Sequence, residues 1–402
     1  MTKAAIRIVI MGAGPAGASL ALLLCRQGHH VTLLESRPDF SREFRGEVLM
    51  PSGIKVLDLI TPDWKSQVAH NEQSTVTAYI NQKHLFTTGI SSSDARPIAV
   101  SQPDLLNYLV QEAKQHGDFD LKLGARVRSL VRDDHKDRVT GVVAFHDNQK
   151  LEIPCDLLIG ADGRNSYVRR ALKIPAEEAS LPMDVVWFKL PPLASQQGFY
   201  AYVGRAHLAI SYNAWDGHLQ LAWIILKGTF GDLRQRGVEA WASDLAEHVQ
   251  PELSQHILDN LDHMQKPSLL NSESDRVQTW SKDGALLIGD AAHTVSPVGA
   301  QGINLALRDA YIAAKEIGQM EGGEDVLVDT IDRTCQSIES QRVPEIKTIQ
   351  SLQARPPRIA LSQAWWGEPV RRSIAALMSV DSIRNQAARA ATPFVEGVTD
   401  LD

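Results

Sequence analysis

The sequence predicts an α/β fold interrupted by an antiparallel sheet and followed by a helical C-terminal region. Three observations carry this reading. Residues 6–35 run strand, glycine-rich turn, helix, strand. Two later apolar runs each end in an acidic turn, at Asp162-Gly163 and Gly289-Asp290. Between those two turns, four strand-like segments follow one another from residue 185 to 226. Composition agrees: 402 residues, 44% hydrophobic and 22% charged, is ordinary globular material and excludes a largely disordered chain. The length suggests roughly two or three domains. The formal charge is −7 and there is no Lys/Arg run, so no nucleic-acid partner is expected. Cys25, Cys155 and Cys335 are odd in number and far apart. That argues against a disulfide framework, a CxxC pair or a zinc site, leaves no metal expected, and fits a reducing cytoplasm.

Ile6 to Met11 is a short apolar run, expected as a buried strand. Ala4 to Cys25 is apolar enough to suggest a signal peptide or a membrane span, but Arg7 and Gly12, Gly14 and Gly17 interrupt it, and nothing marks export. Ala18 to Cys25 is small and apolar on every side, as expected for a helix packed between layers, and Gly28 ends it. Val31 to Leu34 is a second buried strand with Glu35 at its end. Pro103 to Ala113 reads as a helix; Leu121 to Leu130 and Arg138 to His146 read as alternating strands; Leu151 to Gly160 reads as one strand leading into Ala161-Asp162-Gly163. Val185 to Leu190, Phe199 to Val203, Ala206 to Tyr212 and His218 to Leu226 form the expected antiparallel sheet, with Leu219, Leu221, Trp223 and Ile225 on one face. Trp241 to Gln250 and Glu252 to His263 read as helices, Ala285 to Ile288 as a buried strand, and Gly302 to Met320 as a helix. After Pro344 the chain is expected to be helical, broken at Pro356-Pro357.

The chemistry-bearing motifs sit where these strands end. In Gly12-x-Gly14-x-x-Gly17, Gly12 permits the sharp turn, Gly14 lets a pyrophosphate approach the backbone, and Gly17 lets helix and sheet pack closely. The helix N-terminus offers free N–H groups to phosphate, and Glu35 stands near the spacing at which a carboxylate accepts ribose hydroxyls. The motif marks a Rossmann-like unit without separating NAD from FAD. Arg37 suits a 2′-phosphate or open solvent equally. The second motif, Asp156-Leu-Leu-Ile-Gly-Ala-Asp162-Gly163-Arg164-Asn-Ser166, means little alone, because Asp-Gly is a common turn pair. The third, Gly289-Asp290-Ala-Ala-His293 followed by Pro297-Val-Gly299-Ala-Gln-Gly302-Ile303-Asn304, delivers Asp290 to a strand end and opens a glycine-rich loop into a helix.

In this order the three motifs resemble those of the FAD-dependent aromatic hydroxylases, the para-hydroxybenzoate hydroxylase-like group A flavoprotein monooxygenases. The resemblance implies a Rossmann-like FAD-binding domain with an inserted antiparallel β-sheet substrate domain. On that likeness, residues 1–75, 100–178 and 276–345 form the FAD domain, 76–99 and 179–275 the substrate domain, and 346–402 a helical segment. Gly12, Gly14, Ala16, Gly17 and Glu35 would hold the ADP half of FAD. Asp162 would lie beside the flavin and pyrophosphate region, and Asp290 would bind the ribityl chain. Pro297, Gly299, Gly302, Ile303 and Asn304 would lie against the isoalloxazine. Arg45, Gln102 and Val127 match further cofactor positions, Val127 through its backbone at the adenine. NADH or NADPH would be the co-substrate. O2 would be activated as a flavin C4a-hydroperoxide to hydroxylate or epoxidise an aromatic or electron-rich small molecule.

No side-chain nucleophile is needed for this chemistry. His293 is the one candidate acid or base, with loop hydrogen bonding the blander alternative. The sheet is rich in aromatics, namely Trp187, Phe188, Tyr200, Tyr202, Tyr212, Trp215 and Trp223. Of these Tyr200, Tyr212 and Trp223 are the candidate substrate contacts, against core packing. Trp365-Trp366 allows at most peripheral membrane contact. A monomer or homodimer is expected. The alternatives are an isoprenoid reductase or cyclase similar to geranylgeranyl reductases, and a flavin-binding protein without turnover.

Overall fold

The structure is a computed structural model describing residues 5–41, 48–90, 96–133, 135, 137–179, 181–204, 207–320, 327–354, 357, 360–362, 364, 366–378 and 380–401. Its centre is a six-stranded sheet in the order Ser281–Lys282, Ala285–Leu287, Leu157–Gly160, Arg7–Met11, His30–Glu35, Phe119–Leu123. All neighbours are parallel except the first pair. The inner strands Arg7–Met11, Leu157–Gly160 and Ala285–Leu287 read as apolar runs because both faces are covered. Helix Pro15–Arg26 is buried on nearly every side, with Leu20, Leu22 and Leu24 fully enclosed. Helix Gln301–Ile317 shares the same core. The register matters most. Met11 stands opposite Gly160, and Gly160 opposite Leu287, so the strand ends that open the three motifs lie side by side.

A seven-stranded sheet forms the second layer system, in the order Ser268–Leu270, Met183–Leu190, Leu219–Leu226, His207–Asn213, Phe199–Gly204, Thr75–Ile80, Lys83–Gly89. It is antiparallel except where Phe199–Gly204 runs parallel to Thr75–Ile80. Side-chain alternation divides its residues between two faces. Val186, Phe188, Leu190, Tyr202, Trp223 and Ile225 pack with Trp241, Leu245, Leu253 and Ile257 of helices Val238–Ala246 and Pro251–Asp259. Val185, Trp187, Tyr212, Ala222 and Ile224 belong to the opposite face.

Several expected elements differ. Leu121 to Leu130 is not one strand. It breaks at Gly124, which takes φ +75°, into Phe119–Leu123 of the central sheet and Arg126–Arg132 of a separate three-stranded sheet. Leu151 to Gly160 likewise divides into Gln149–Pro154 and Leu157–Gly160. Between them Asp156 accepts the Arg7 backbone N–H at 2.8 Å and pairs with its guanidinium at 2.7 Å, anchoring the start of the central strand. Helix Leu327–Gln353 runs through Pro344, and Gly367–Met378, Asp381–Ala390 and Thr392–Glu396 follow it in the chain. Pro356 lies outside the described residues. The three cysteines are free and buried, and burial pushes each thiol up to about 12. Among the described residues no helix is long and apolar enough to cross a membrane, and no group of three or more His, Cys, Asp or Glu side chains is arranged to hold a metal.

Candidate active site

The first turn is built by close backbone approach. Gly12 takes φ +98°, and a Cβ there would stand 2.4 Å from the Ala161 carbonyl oxygen. A Cβ on Gly17 would stand 1.9 Å from the Gly12 carbonyl oxygen. Both positions therefore exclude a side chain for packing reasons alone. Gly14 is different, because a Cβ there would meet nothing within 4 Å. Its space is open and belongs to the site. Helix Pro15–Arg26 starts with no side-chain cap and no acidic residue in its first turn. Its leading N–H groups, and the positive end of its dipole, are left for an anion.

A cavity of about 540 Å³ opens at these strand ends. Gly14, Ala16, Ala161, Gly163 and Asp290 line it from the strand ends, and Pro297, Gly299, Gly302 and Ile303 line it from the loop and helix start of the third motif. Gln102 joins from the start of helix Gln102–Lys114. Gly289 stands close to Ala16, with a Cβ there only 3.2 Å from the Ala16 Cβ. A second uncapped helix, Gln301–Ile317, starts at the cavity after Gly299 and the left-handed Ala300. Asp290 faces Arg164, whose Nε donates to it at 3.3 Å while Nη1 donates to the Asn271 carbonyl at 3.1 Å. Arg164 lines the cavity and carried no role in the sequence reading, although it stands inside the second motif.

Other expected residues lie elsewhere. Glu35 accepts from the Ala13 N–H at 3.0 Å and from the Arg37 N–H at 3.0 Å, bracing the glycine turn from behind. Asp162 does not line the cavity. Its carboxylate accepts Ser166 Oγ at 2.6 Å, the Tyr167 N–H at 2.6 Å and the Val168 N–H at 3.2 Å. Burial pushes its carboxyl above the usual range, against the pull of those donors. Asn304 is fully buried and ties its helix to the Val48–Met50 segment, accepting the Met50 N–H at 2.8 Å and donating to Val48 at 3.2 Å. Val127 is half-buried opposite Ala144 in the small sheet and does not line the cavity. Arg45 lies outside the described residues.

His293 is also off the cavity. It is buried, with Nε2 at 2.6 Å from Asp309 and its ring 5.2 Å from that of Trp280. Asp309 further accepts the Gly289 N–H at 2.9 Å and Arg342 Nε at 2.8 Å. The geometry makes His293 a member of a buried ionic chain behind the third motif rather than a group that touches the reacting space.

The opposite wall is the second sheet. Trp187, Phe199, Ala201, Ile210 and Tyr212 line the cavity, with Leu270 at the edge. Phe199 and Tyr212 rings pack at 5.3 Å. Tyr200 borders the cavity, but its ring stacks along Tyr202 at 6.4 Å and its hydroxyl donates to Ser195. Trp223 is on the far face, stacked on Trp241 at 5.7 Å, and is not brought to the site. The alternation of Val186, Phe188 and Leu190 against Val185 and Trp187 was the signal that could have separated these aromatics.

Residues 5–344 match the family described as FAD binding domain. The chain is 30% identical over 380 residues to 6-methylpretetramide 4-monooxygenase of Streptomyces rimosus, covering 92% of this chain and 88% of the relative. It is 27% identical over 344 residues to 6-hydroxynicotinate 3-monooxygenase of Pseudomonas fluorescens, covering 78% and 83%. PqsL of Pseudomonas aeruginosa in complex with 2-aminobenzoylacetate superposes with a TM-score of 0.74 at 23% identity, over 92% of this chain and all of that one, which shows a shared fold. The named relatives are oxygenases, which favours that reading over a reductase or cyclase. With its three motif strands ending on one cavity and its sequence matched over most of its length, the chain belongs to the FAD-dependent aromatic hydroxylase family and is an FAD-dependent monooxygenase.

Proposed function

We propose that the enzyme uses NADH or NADPH and O2 to hydroxylate or epoxidise an aromatic or electron-rich small molecule held between the flavin and the Trp187–Tyr212 face. FAD would run its ADP half past Gly14 and Ala16, on the turn that Gly12 and Gly17 close and Glu35 braces. Its ribityl chain would pass Asp290 and its ring would rest on Pro297–Ile303. The observation that carries this is the shared cavity: three strand ends in register form one wall and the aromatic sheet face forms the other. The residues fit the cofactor, since Gly14 leaves room for it and both helix N-termini at the cavity lack side-chain caps. We assign the FAD domain to 1–75, 100–178 and 276–345, the substrate domain to 76–99 and 179–275, and a C-terminal segment to 346–402.

The reduced flavin supplies the oxygen-activating chemistry when bound. The chain's own residues do the rest. N–H groups at the start of Pro15–Arg26 would hold the pyrophosphate. Asp290, oriented by Arg164, accepts a polyol hydroxyl. The start of Gln301–Ile317 would offer partial positive charge to a negative reduced ring, an interaction of about 0.3–1 kcal/mol and up to ~2 when partly buried. The apolar wall keeps water from the reacting centre.

A substrate panel monitored for both nucleotide oxidation and labelled-oxygen incorporation tests the proposal. Yellow protein and labelled product are expected. Protein that stays colourless after incubation with FAD, or product formed without label, overturns it.

A further inference from the structure

The Ser296–Gln301 loop has few bonds of its own: Val298 N–H reaches Ser296 Oγ at 3.3 Å, Ala300 N–H reaches the Pro297 carbonyl at 3.0 Å, and Gln301 Nε2 reaches the Gly299 carbonyl at 2.7 Å. Ser296, Gly299, Ala300 and Gln301 nevertheless line the cavity, and bonds from other elements hold the loop, the first from Asn304 Nδ2 of the helix that follows, which donates to the Ala300 carbonyl at 2.6 Å. Two residues beyond residue 344, and so beyond the residues that match the family, add to this hold.

Gln353 closes helix Leu327–Gln353 and is buried. Its Nε2 donates to the Ser296 carbonyl at 2.8 Å and the Val298 carbonyl at 2.7 Å, and its Oε1 accepts the Ser296 N–H at 3.2 Å. Phe394, on helix Thr392–Glu396, lays its ring over Gly299, where a Cβ would meet the ring at 3.0 Å. The Phe394 carbonyl accepts Gln301 Nε2 at 2.9 Å, and the same nitrogen donates to Gly299 at 2.7 Å. The left-handed Ala300 is thus gripped on both sides. The tail is itself anchored. Val398 and Thr399 N–H groups donate to Glu345 at 2.9 and 3.3 Å, and Leu401 is buried in the main core.

We propose that Gln353 and Phe394 are positioning residues for the flavin: they fix the loop on which its ring rests, and so set FAD affinity and the environment of the ring. This rests on the reading of the loop as the isoalloxazine floor. The consequence is that the C-terminal segment tunes a cofactor it does not touch.

The test compares wild-type full-length protein with Phe394→Ala, Gln353→Ala and Phe394→Leu, and with Leu245→Ala as a control behind the second sheet. FAD dissociation constants, the visible flavin spectrum, the midpoint potential and melting temperature are measured on each. Phe394→Ala and Gln353→Ala are expected to weaken FAD binding at least tenfold and to shift spectrum and potential. Phe394→Leu, which keeps an apolar cap and disturbs folding least, is expected to fall between them and wild type. Leu245→Ala should lower the melting temperature and leave the flavin signals unmoved. Variants that match wild type in affinity, spectrum and potential overturn the proposal, as does a Leu245→Ala protein that shifts the flavin equally. Wild-type protein that fails to bind FAD would instead sink the reading of the loop itself.

Discussion

Glu345→Gln probes the buried ionic chain behind the flavin loop. Glu345 is buried and accepts Arg308 Nε at 2.9 Å, a guanidinium N–H of Arg342, and the Val398 and Thr399 N–H groups. Arg342 reaches on to Asp309, giving two guanidiniums for two carboxylates, and His293 ends the chain. Burial alone would raise the Glu345 carboxyl, but Arg342 and Arg308 outweigh it and pull it from 4.5 to about 2. A folded value below the unfolded one stabilises the native state above pH 4.5, and the contribution is lost as pH falls toward 2. That interval corresponds to about 3 kcal/mol at ~1.36 kcal/mol per pH unit. The glutamine variant leaves two buried guanidiniums facing one carboxylate, for which a cost of about 3–5 kcal/mol is expected at neutral pH. Protonated glutamate and glutamine are nearly isosteric, so the two proteins should converge in acid. Urea unfolding monitored by tryptophan fluorescence at pH 7, 5, 4 and 3 measures the difference. A gap that does not shrink below pH 4.5, or no gap at pH 7, refutes the assigned electrostatics.

Gly17→Ala and Gly14→Ala should separate packing from cofactor contact. The first forces a methyl to within 1.9 Å of the Gly12 carbonyl and should lower the melting temperature of the apoprotein. The second has open space, and should leave that temperature unchanged while weakening FAD binding in a fluorescence titration. His293→Ala should reduce both melting temperature and retained flavin, because Asp309 loses a partner. A variant with full flavin and normal reduction by nucleotide but no oxygenation would restore the catalytic reading. Trp187→Ala should raise KM for substrate, whereas Trp223→Ala should cost about 3–5 kcal/mol of stability with KM unmoved. Equal effects of the two on KM would refute the division of the sheet's faces.

The nucleotide half was legible because short-range rules decide it. A buried parallel strand reads as an apolar run, and the turn after it needs glycine where backbones touch, as at Gly12 and Gly17. Strand breaks were less legible. Gly124 and Asp156 sit inside runs whose β-propensity continues past them, and only pairing with different sheets interrupts the chain there. The aromatic face was half legible. Met183–Leu190 is buried throughout, so composition cannot say which alternate residues meet helices and which meet the cavity. The brace from Gln353 and Phe394 was not legible at all. Those contacts span more than fifty residues of sequence, and a glutamine at the end of a polar helix carries no periodic signal of what it will bond.

Asp162 and Asp290 show why a motif locates a site more surely than it assigns a role. Both stand just past neighbouring parallel strands, and both are acids in a glycine-bearing turn. After Asp162 the chain turns at once into helix Tyr167–Ala171, whose leading N–H groups fold back onto the carboxylate. With Ser166 added, both oxygens of Asp162 already have donors from the protein. Around Asp290 the chain makes a short 3-10 turn, Gly289–Ala291, and returns to strand, so no helix start faces the carboxylate. Arg164 donates to it at 3.3 Å, and it stands on the cavity wall with acceptor capacity remaining. The residue type and strand position are the same in the two cases. The path of the backbone beyond each acid decides that one completes the fold and the other can receive a ligand.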